Sequence, residues 1–458
     1  MQQDILTTFL NQADQKAFSR RHRQTIQFNI SRYDEKVAIG KKQFANLEKA
    51  RQLAKNIKWQ AIENLPTLLL EFERNFTAHG GKVLWAEDAA QARILIKNIL
   101  QEQKTELVVK SKSMITEEIE LNDFLAEQDI EVLETDLGEY IVQLRNETPY
   151  HIITPAMHLS KTDVAELFHQ KFATPADATP AQIMAFVRQQ MRAKFAQAQV
   201  GITGANFIIA DTGSILITEN EGNARLTSTL PPVHIALVGI EKVLPSVQHL
   251  DVFLPLLSTY GTGQQLTVYN TLISAPQQKN EKDGAQQMYV ILIDNGRSRL
   301  LADPKLRESL YCIRCGSCLN NCPVYKNIGG HTYDAPYPGP IGAVLMPHLG
   351  NFEENAHLSN ASSLCGACTE SCPVKINLHE LILYNRHLET EKELKPTDEQ
   401  RMWKMWAWLS SKRWLMNTPR FAKRWFAKRY LMPLWGERRV FPQFEGKTFN
   451  QLWKKGLV

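Results

Sequence analysis

Cys312-Ile313-Arg314-Cys315-Gly316-Ser317-Cys318-Leu319-Asn320-Asn321-Cys322-Pro323 is answered fifty residues later by Ser362-Ser363-Leu364-Cys365-Gly366-Ala367-Cys368-Thr369-Glu370-Ser371-Cys372-Pro373. The two stretches hold all seven cysteines of the 458-residue chain. Thiolates at x2, x2 and x3 spacing can converge on one compact inorganic cluster. The x3-Cys-Pro ending is the arrangement in which the last cysteine ligates the other of two iron–sulfur clusters.

Superposing the stretches on their Cys-Pro ends pairs Cys322 with Cys372, Cys318 with Cys368, Cys315 with Cys365, and Cys312 with Ser362. In the exchanged arrangement of two-cluster ferredoxins, cluster one takes Cys312, Cys315, Cys318 and Cys372. Cluster two takes Cys322, Cys365 and Cys368, and no cysteine is left for its fourth position. Ser362, His348, His357 or water are the candidates there, and a three-iron cluster is the alternative to a four-iron one. An iron with an exchangeable position could act as a Lewis acid, but the reading adopted is an electron relay. Zinc is the competing metal. Structural zinc takes four ligands per ion, and seven cysteines, three of them consecutive at x2 spacing, do not divide into such sets. Pro323 and Pro373 turn the chain out of each ligand loop, and Gly316 and Gly366 let backbone approach the sulfur atoms.

A chain of this length suggests about three domains. With 43% hydrophobic and 22% charged residues it has ample material for cores. The start Met1-Gln2-Gln3-Asp4 lacks a cationic leader, and no apolar run reaches the 18 or so residues of a membrane span. A reducing, cytoplasmic setting is expected, since it keeps thiols available to metal.

Four regions are expected: helices over 1–75, an α/β domain over 76–298, a two-cluster iron–sulfur domain over 299–395, and a tail over 396–458. Apolar runs at 81–86, 106–109, 130–134, 207–210, 214–217, 234–238 and 288–293 read as strands. Helical segments at 88–101, 113–128 and 178–197 alternate with them, which indicates a parallel sheet covered by helices. Gly201-Ile202-Thr203-Gly204-Ala205-Asn206, Asp211-Thr212-Gly213-Ser214 and Glu219-Asn220-Glu221-Gly222-Asn223-Ala224-Arg225 are polar, Gly-rich segments beside predicted strands. They read either as ordinary turns or as the lining of a cleft at the carboxyl ends of the strands. Lys110-Ser111-Lys112-Ser113-Met114 follows a strand and opens a helix, a natural anion site. The cleft candidates are Lys110, Lys112, Asn206, Asp211, Asn223 and Arg225. No Gly-x-Gly-x-x-Gly follows a strand, so no flavin or nicotinamide fingerprint is present.

Thr203-Gly204-Ala205-Asn206, Ala210-Asp211-Thr212-Gly213, Glu221 to Arg225, Leu230-Pro231-Pro232-Val233-His234, Lys110 to Met114 and Asn295-Gly296-Arg297-Ser298, together with the seven-cysteine pattern, resemble the lactate utilization protein B family along nearly the whole chain. The resemblance implies an α/β domain similar to the sugar-phosphate isomerase and CoA-transferase-like fold. It implies participation in the oxidation of L-lactate to pyruvate, a role in carrying electrons, and work beside lactate utilization proteins A and C. The electron acceptor is unidentified. A different class of reading makes the α/β domain itself a catalyst on a carboxylate or phosphate, or makes the chain an assembly scaffold.

Residues 401–458 hold 14 Lys or Arg against 2 Glu, so the chain's net charge of +5 leaves −7 for residues 1–400. Seven of the nine Trp lie there. Trp403, Trp406, Ala407 and Trp414 read as one helical face, with a break expected at Pro419. Packing on its own domains, docking a partner subunit, and peripheral contact with an anionic membrane are the candidate roles of the tail. Basic charge alone is unspecific, and nucleic acid is not expected as a partner.

Overall fold

The computed structural model describes residues 2–395, 397–418, 420–431, 440 and 446–457. They form two compact units, Met1–Leu388 and Glu389–Val458.

The first unit opens with four helices, Gln2–Phe18, Arg20–Gly40, Leu47–Glu63 and Leu65–Ala78. Ten strands follow: β1 (Lys82–Ala86), β2 (Leu107–Lys110), β3 (Glu131–Glu134), β4 (Val200–Gly204), β5 (Phe207–Ile209), β6 (Ser214–Glu219), β7 (Val233–Gly239), β8 (Val243–Leu244), β9 (Tyr269–Ile273) and β10 (Gln287–Ile293). Six of them make a parallel sheet in the order β1-β10-β7-β4-β2-β3. Successive side chains of a strand point to opposite faces, and β7 and β10 are apolar on both. Ala236, Val238, Val290 and Leu292 pack with Leu65, Leu69 and Phe72 of a flanking helix. Ile235, Leu237, Ile291 and Ile293 pack on the other face with Ile96 and Leu100 of the helix Ala89–Glu102. That continuous apolar run is what a sheet covered on both sides requires.

The remaining strands make a second sheet, β8-β5-β6-β9, in which β5–β6 and β6–β9 are antiparallel. The short strand β8 and the polar β9 were not legible as strands. The single helix expected over 113–128 is two, Met114–Glu118 and Leu121–Ala126, broken where Glu120 turns left-handed at φ 49°.

Gly201 to Gly204 corrects the turn reading: it is β4, a central strand of the parallel sheet. Glycine is there for close approach. A Cβ on Gly201 would sit 1.9 Å from the Thr227 carbonyl oxygen, on the helix Asn223–Thr229 that covers the strand. Gly201→Ala is therefore expected to force strand and helix apart and destabilise the protein by on the order of 3 kcal/mol, seen as a lower urea midpoint. An unchanged midpoint would mean that the helix moves aside freely.

After β10 the chain enters the cysteine region through the helix Arg297–Ala302 and ends this unit in the helix Leu378–Glu391. One buried cluster joins Ile26 and Ile57 of the first helices, Phe253 and Leu256 of the helix Leu250–Thr262, and Leu319, Tyr325, Val344 and Ile382 around the cysteines.

In the second unit, the helix Thr397–Ser410 carries Trp403, Trp406 and Trp408, all more than half exposed. Trp414 is not on that helix's face: it belongs to a separate short helix, Arg413–Met416. The expected break at Pro419 lies outside the described residues. No helix among the described residues is long and apolar enough to cross a membrane.

Candidate metal centre and the adjoining cleft

The two cysteine stretches adopt one backbone twice. Arg314 and Leu364 stand at φ 59° and 54°, Gly316 and Gly366 at 75° and 80°, and each glycine opens a single helical turn, Ser317–Asn320 or Ala367–Glu370. The left-handed turn is what folds an x2 spacing back on itself so that successive thiols face the same side. The loops differ in setting. A Cβ on Gly316 would meet His151 Cε1 at 3.0 Å and Ile153 Cγ1 at 3.1 Å, whereas nothing lies within 4 Å of one on Gly366. The first loop is packed and the second faces outward, with Cys365 exposed. Ser317 Oγ donates to the Ser371 carbonyl at 3.1 Å and ties the loops together.

Cys312, Cys315, Cys318 and Cys372 line one cavity, walled by Ile152, Ile313, Ile341, Val374, Ile376 and Leu378. Burial raises the thiols of Cys315 and Cys372, the latter to about 12, and each also feels Cys312. Cys318 is pushed up by burial and by Cys312, Cys315, Cys372 and Cys368. The other three cysteines are neighbours of one another. Cys368 is raised to about 11 by burial and by Cys322, with Cys365 adding to it, and Cys322 is raised by burial and by Cys365. Cys365 itself is lowered, chiefly by the Ala367 N–H.

Backbone donors are aimed at sulfur: Arg314 N at Cys312 Sγ (3.4 Å), Ile376 N at Cys372 Sγ (3.3 Å) and Tyr325 N at Cys322 Sγ (3.5 Å). Cys315, Cys318 and Cys372 are buried thiols that converge on one cavity, a setting that disfavours their thiolates without positive charge nearby, and a metal supplies that charge. The donor set and its oriented N–H groups fit an iron–sulfur group.

Ser362, the counterpart of Cys312, is hydrogen-bonded within its own loop. Its Oγ accepts from Leu364 N at 3.1 Å and its carbonyl accepts from Arg386. His348 is engaged with Asn385 (2.9 Å) and His357 with the Glu354 carbonyl (2.7 Å).

Beside the first loop lies a cleft of about 380 Å³ at the carboxyl ends of β2, β4 and β7. Of the six residues expected there, Lys112, Asn206 and Asn223 line it. Lys112 Nζ donates to the Ile152 carbonyl, and Asn206 Oδ1 accepts from Thr218 N at 2.8 Å. The Asn223 amide, oriented by its partners, donates to Glu219 Oε2 at 2.7 Å and accepts from Asp136 N at 3.2 Å.

The other three do not reach the cleft. Lys110 is fully buried and held by Glu134 (2.7 Å), Glu117 (3.3 Å) and Thr116 (2.8 Å), so its charge is neutralised inside the fold. Asp211 accepts from Val247 N and stabilises a turn. Arg225 is exposed, and its backbone N donates to Glu219 Oε1.

Besides Lys112, three cations that line the cleft escaped the sequence reading of it: Lys242, Arg297 and Arg314. Arg297, 1% exposed, donates to both oxygens of Glu118 at 2.8 Å and to Glu241 Oε2. Tyr337 Oη donates to Glu118 Oε2 at 2.8 Å. Arg314 Nη2 donates to Glu241 Oε1 at 3.2 Å, and its guanidinium lies 4.6 Å from the centre of the Tyr337 ring. Lys242 is buried and lowered to about 8 by desolvation and by Arg314. The other part of the lining is acidic: Asp136, Glu219 and Glu221, the last raised to about 7 by desolvation and by Asp136. A charged pair ending an apolar strand, Glu241-Lys242 after β7, and an arginine inside a Cys-x2-Cys loop were the signals available for these residues.

Comparison with known proteins agrees with this architecture. The LUD domain family matches residues 69–293, and the 4Fe-4S dicluster domain family matches residues 308–376. Lactate utilization protein B of Bacillus cytotoxicus is 44% identical over 351 residues, covering 77% of this chain and 74% of that protein. The protein of the same name from Bacillus thuringiensis strain Al Hakam has the same identity and coverage. A crystal structure of a DUF162 family protein from Deinococcus radiodurans covers 50% of this chain and 98% of its own, at 15% identity and a TM-score of 0.30. With a parallel α/β sheet followed by a dicluster region and this degree of identity, the chain belongs to the lactate utilization protein B family and is an iron–sulfur protein of lactate utilization.

Proposed function

We propose that this chain is the electron-transferring component of a cytoplasmic system that oxidises L-lactate to pyruvate, working with lactate utilization proteins A and C. The carrying observation is the division of the thiols into two adjoining sets. Cys312, Cys315, Cys318 and Cys372 hold one 4Fe–4S cluster. Cys322, Cys365 and Cys368 hold the second, with Ser362 or water completing a 4Fe–4S cluster or with a 3Fe–4S cluster in its place. Bound clusters supply one-electron storage at a potential set by ligands, hydrogen bonds and exposure.

The chain's own residues set those conditions. Arg314, Ile376 and Tyr325 direct N–H groups at sulfur. The apolar wall of the first cavity shields Cys315, Cys318 and Cys372 from water, while exposed Cys365 leaves the second set open to a partner. Cys318 feels Cys368, so the two sets meet at that pair. The exposed tryptophans and basic charge of the tail suit docking to a partner subunit or an anionic surface.

Protein purified without oxygen is expected to contain iron and acid-labile sulfide and to give a reducible EPR signal. That signal should grow when L-lactate is added in the presence of the partner proteins. Stoichiometric zinc without a reducible signal would end the proposal.

A further inference from the structure

Away from both the thiols and the cleft, Glu147, His158 and His331 each bring one ligand atom within 4.8 Å of the other two. Glu147 follows the helix Leu137–Leu144 and His158 precedes the helix Lys161–Phe172, both in the α/β part of the chain. His331 comes from the loop between the two cysteine stretches. Neighbouring groups orient all three. His331 Nε2 lies 2.8 Å from the Thr148 carbonyl, which can only accept, so that nitrogen carries the proton and Nδ1 keeps a lone pair. Histidines that bind metal commonly give their second ring N–H to such an acceptor. Glu147 divides its oxygens: Arg145 Nε and Nη2 hold Oε1 at 2.9 and 2.7 Å, and Oε2 faces His158 Nε2 at 2.9 Å. The His158 ring is stacked on Tyr150, 4.9 Å between centroids, and stands 4.7 Å from the His331 ring. Its other nitrogen, Nδ1, is buried without a partner among the described residues.

We propose that Glu147, His158 and His331 bind one zinc ion, which clips the α/β domain to the loop joining the two cysteine stretches. Two imidazoles and a carboxylate are a donor set that zinc takes, with water as its fourth ligand. The ligand atoms of a tetrahedral zinc lie roughly 3.3 Å apart. Glu147 and His158 are already near that spacing, and the ion replaces the proton they share. Their side chains are 26% and 12% exposed, so the ion has a way in from solvent. The loop that supplies the third ligand is held close. A Cβ on Gly330 would sit 1.7 Å from the Tyr150 carbonyl oxygen, so the residue before His331 is already pressed onto the α/β domain. The site goes beyond the electron-carrier reading and does not rest on it.

The test uses the full chain with its clusters assembled anaerobically, titrated with zinc against a fluorescent chelator and measured by X-ray absorption at the zinc edge. One zinc per chain is expected, with nitrogen and oxygen neighbours at about 2.0–2.2 Å and no sulfur at about 2.3 Å. Glu147→Gln and His331→Gln are each expected to weaken zinc binding at least tenfold with iron content unchanged, while His79→Gln, exposed and outside the cluster, leaves it alone. Added zinc should raise the thermal midpoint of the parent and not that of either variant. That shift is read within each protein, so a variant that is merely less stable does not imitate it. Failure of the parent to bind zinc, sulfur among the zinc neighbours, or parental affinity in both variants would overturn the site. Protein that lacks iron but holds zinc on nitrogen and oxygen alone would remove the carrier proposal and leave this one standing.

Discussion

Cys372→Ala is expected to remove the cluster of the first cysteine stretch, although Cys372 belongs to the second. Roughly half of the bound iron should be lost if, as proposed, each set holds one cluster. The competing possibility is local: Cys365, Cys368 and Cys372 would serve one cluster with Ser362, and Cys312, Cys315, Cys318 and Cys322 the other. The two arrangements differ in which substitutions act as a unit. In the exchanged arrangement, Cys315→Ala added to Cys372→Ala removes no further iron, while Cys368→Ala added to it removes the remainder. In the local arrangement those two outcomes change places. Iron and sulfide analysis of the three variants decides it, with EPR identifying the surviving signal. The structure favours exchange, because Cys372 lines the cavity of Cys312, Cys315 and Cys318 and accepts the Ile376 N–H there.

That much was legible in the sequence because ligand spacing is local. A Cys-x2-Cys loop needs one left-handed residue and a glycine, and both stretches carry them at matching positions. The parallel sheet was legible for a related reason: β7 and β10 are apolar on both faces, and only a sheet buried on both sides tolerates such a run. β4 failed the same test because Gly201 and Gly204 read as punctuation. What calls for glycine at Gly201 is the Thr227 carbonyl, 26 residues further on, and no window of sequence contains that contact.

The cleft was half legible for the same reason. Lys112, Asn206 and Asn223 sit at strand ends and were found by position. Lys110 sits at a strand end as well, but the side-chain alternation of β2 turns it into the core among Glu117 and Glu134. Its predicted role as an anion contact fails because carboxylates of its own chain already fill that place. Arg314, Lys242 and Arg297 reach the cleft from segments far apart in sequence, and their convergence is a property of the tertiary fold. In the tail, the helical repeat placed Trp414 with Trp403 and Trp406, but the helix ends at Ser410.

Arg297→Met is expected to have the largest effect on stability of any substitution outside the cysteines. Arg297, Glu118 and Glu241 are each 1–2% exposed, and Arg297 bridges both carboxylates. Opposite charges hold Glu118 below the ordinary carboxylate range and Glu241 down at about 2, against burial that pushes each the other way. Removing the guanidinium leaves Glu118 with only neutral donors, Tyr337 and Asn295, and leaves Glu241 with Arg314 and the nearby charge of Lys242. Breaking a buried pair by deleting one partner is unfavourable by about 3–5 kcal/mol, because the remaining charge stays out of water. Arg307→Met breaks an ion pair of the same chemistry with Glu63, but both side chains there are about a third exposed, so about 0–1 kcal/mol is expected. Urea midpoints of the two variants at equal m-value give the comparison. If the effect of Arg297→Met comes from the stranded carboxylate, adding Glu118→Gln should recover part of it, whereas a loss of packing alone would leave the double variant no more stable than the single. The outcome also bears on the cleft, since Arg297 fixes Glu241 and Glu241 fixes Arg314 Nη2. The double variant should therefore regain stability while Arg314 stays less firmly held, because Glu241 still lacks its Arg297 partner.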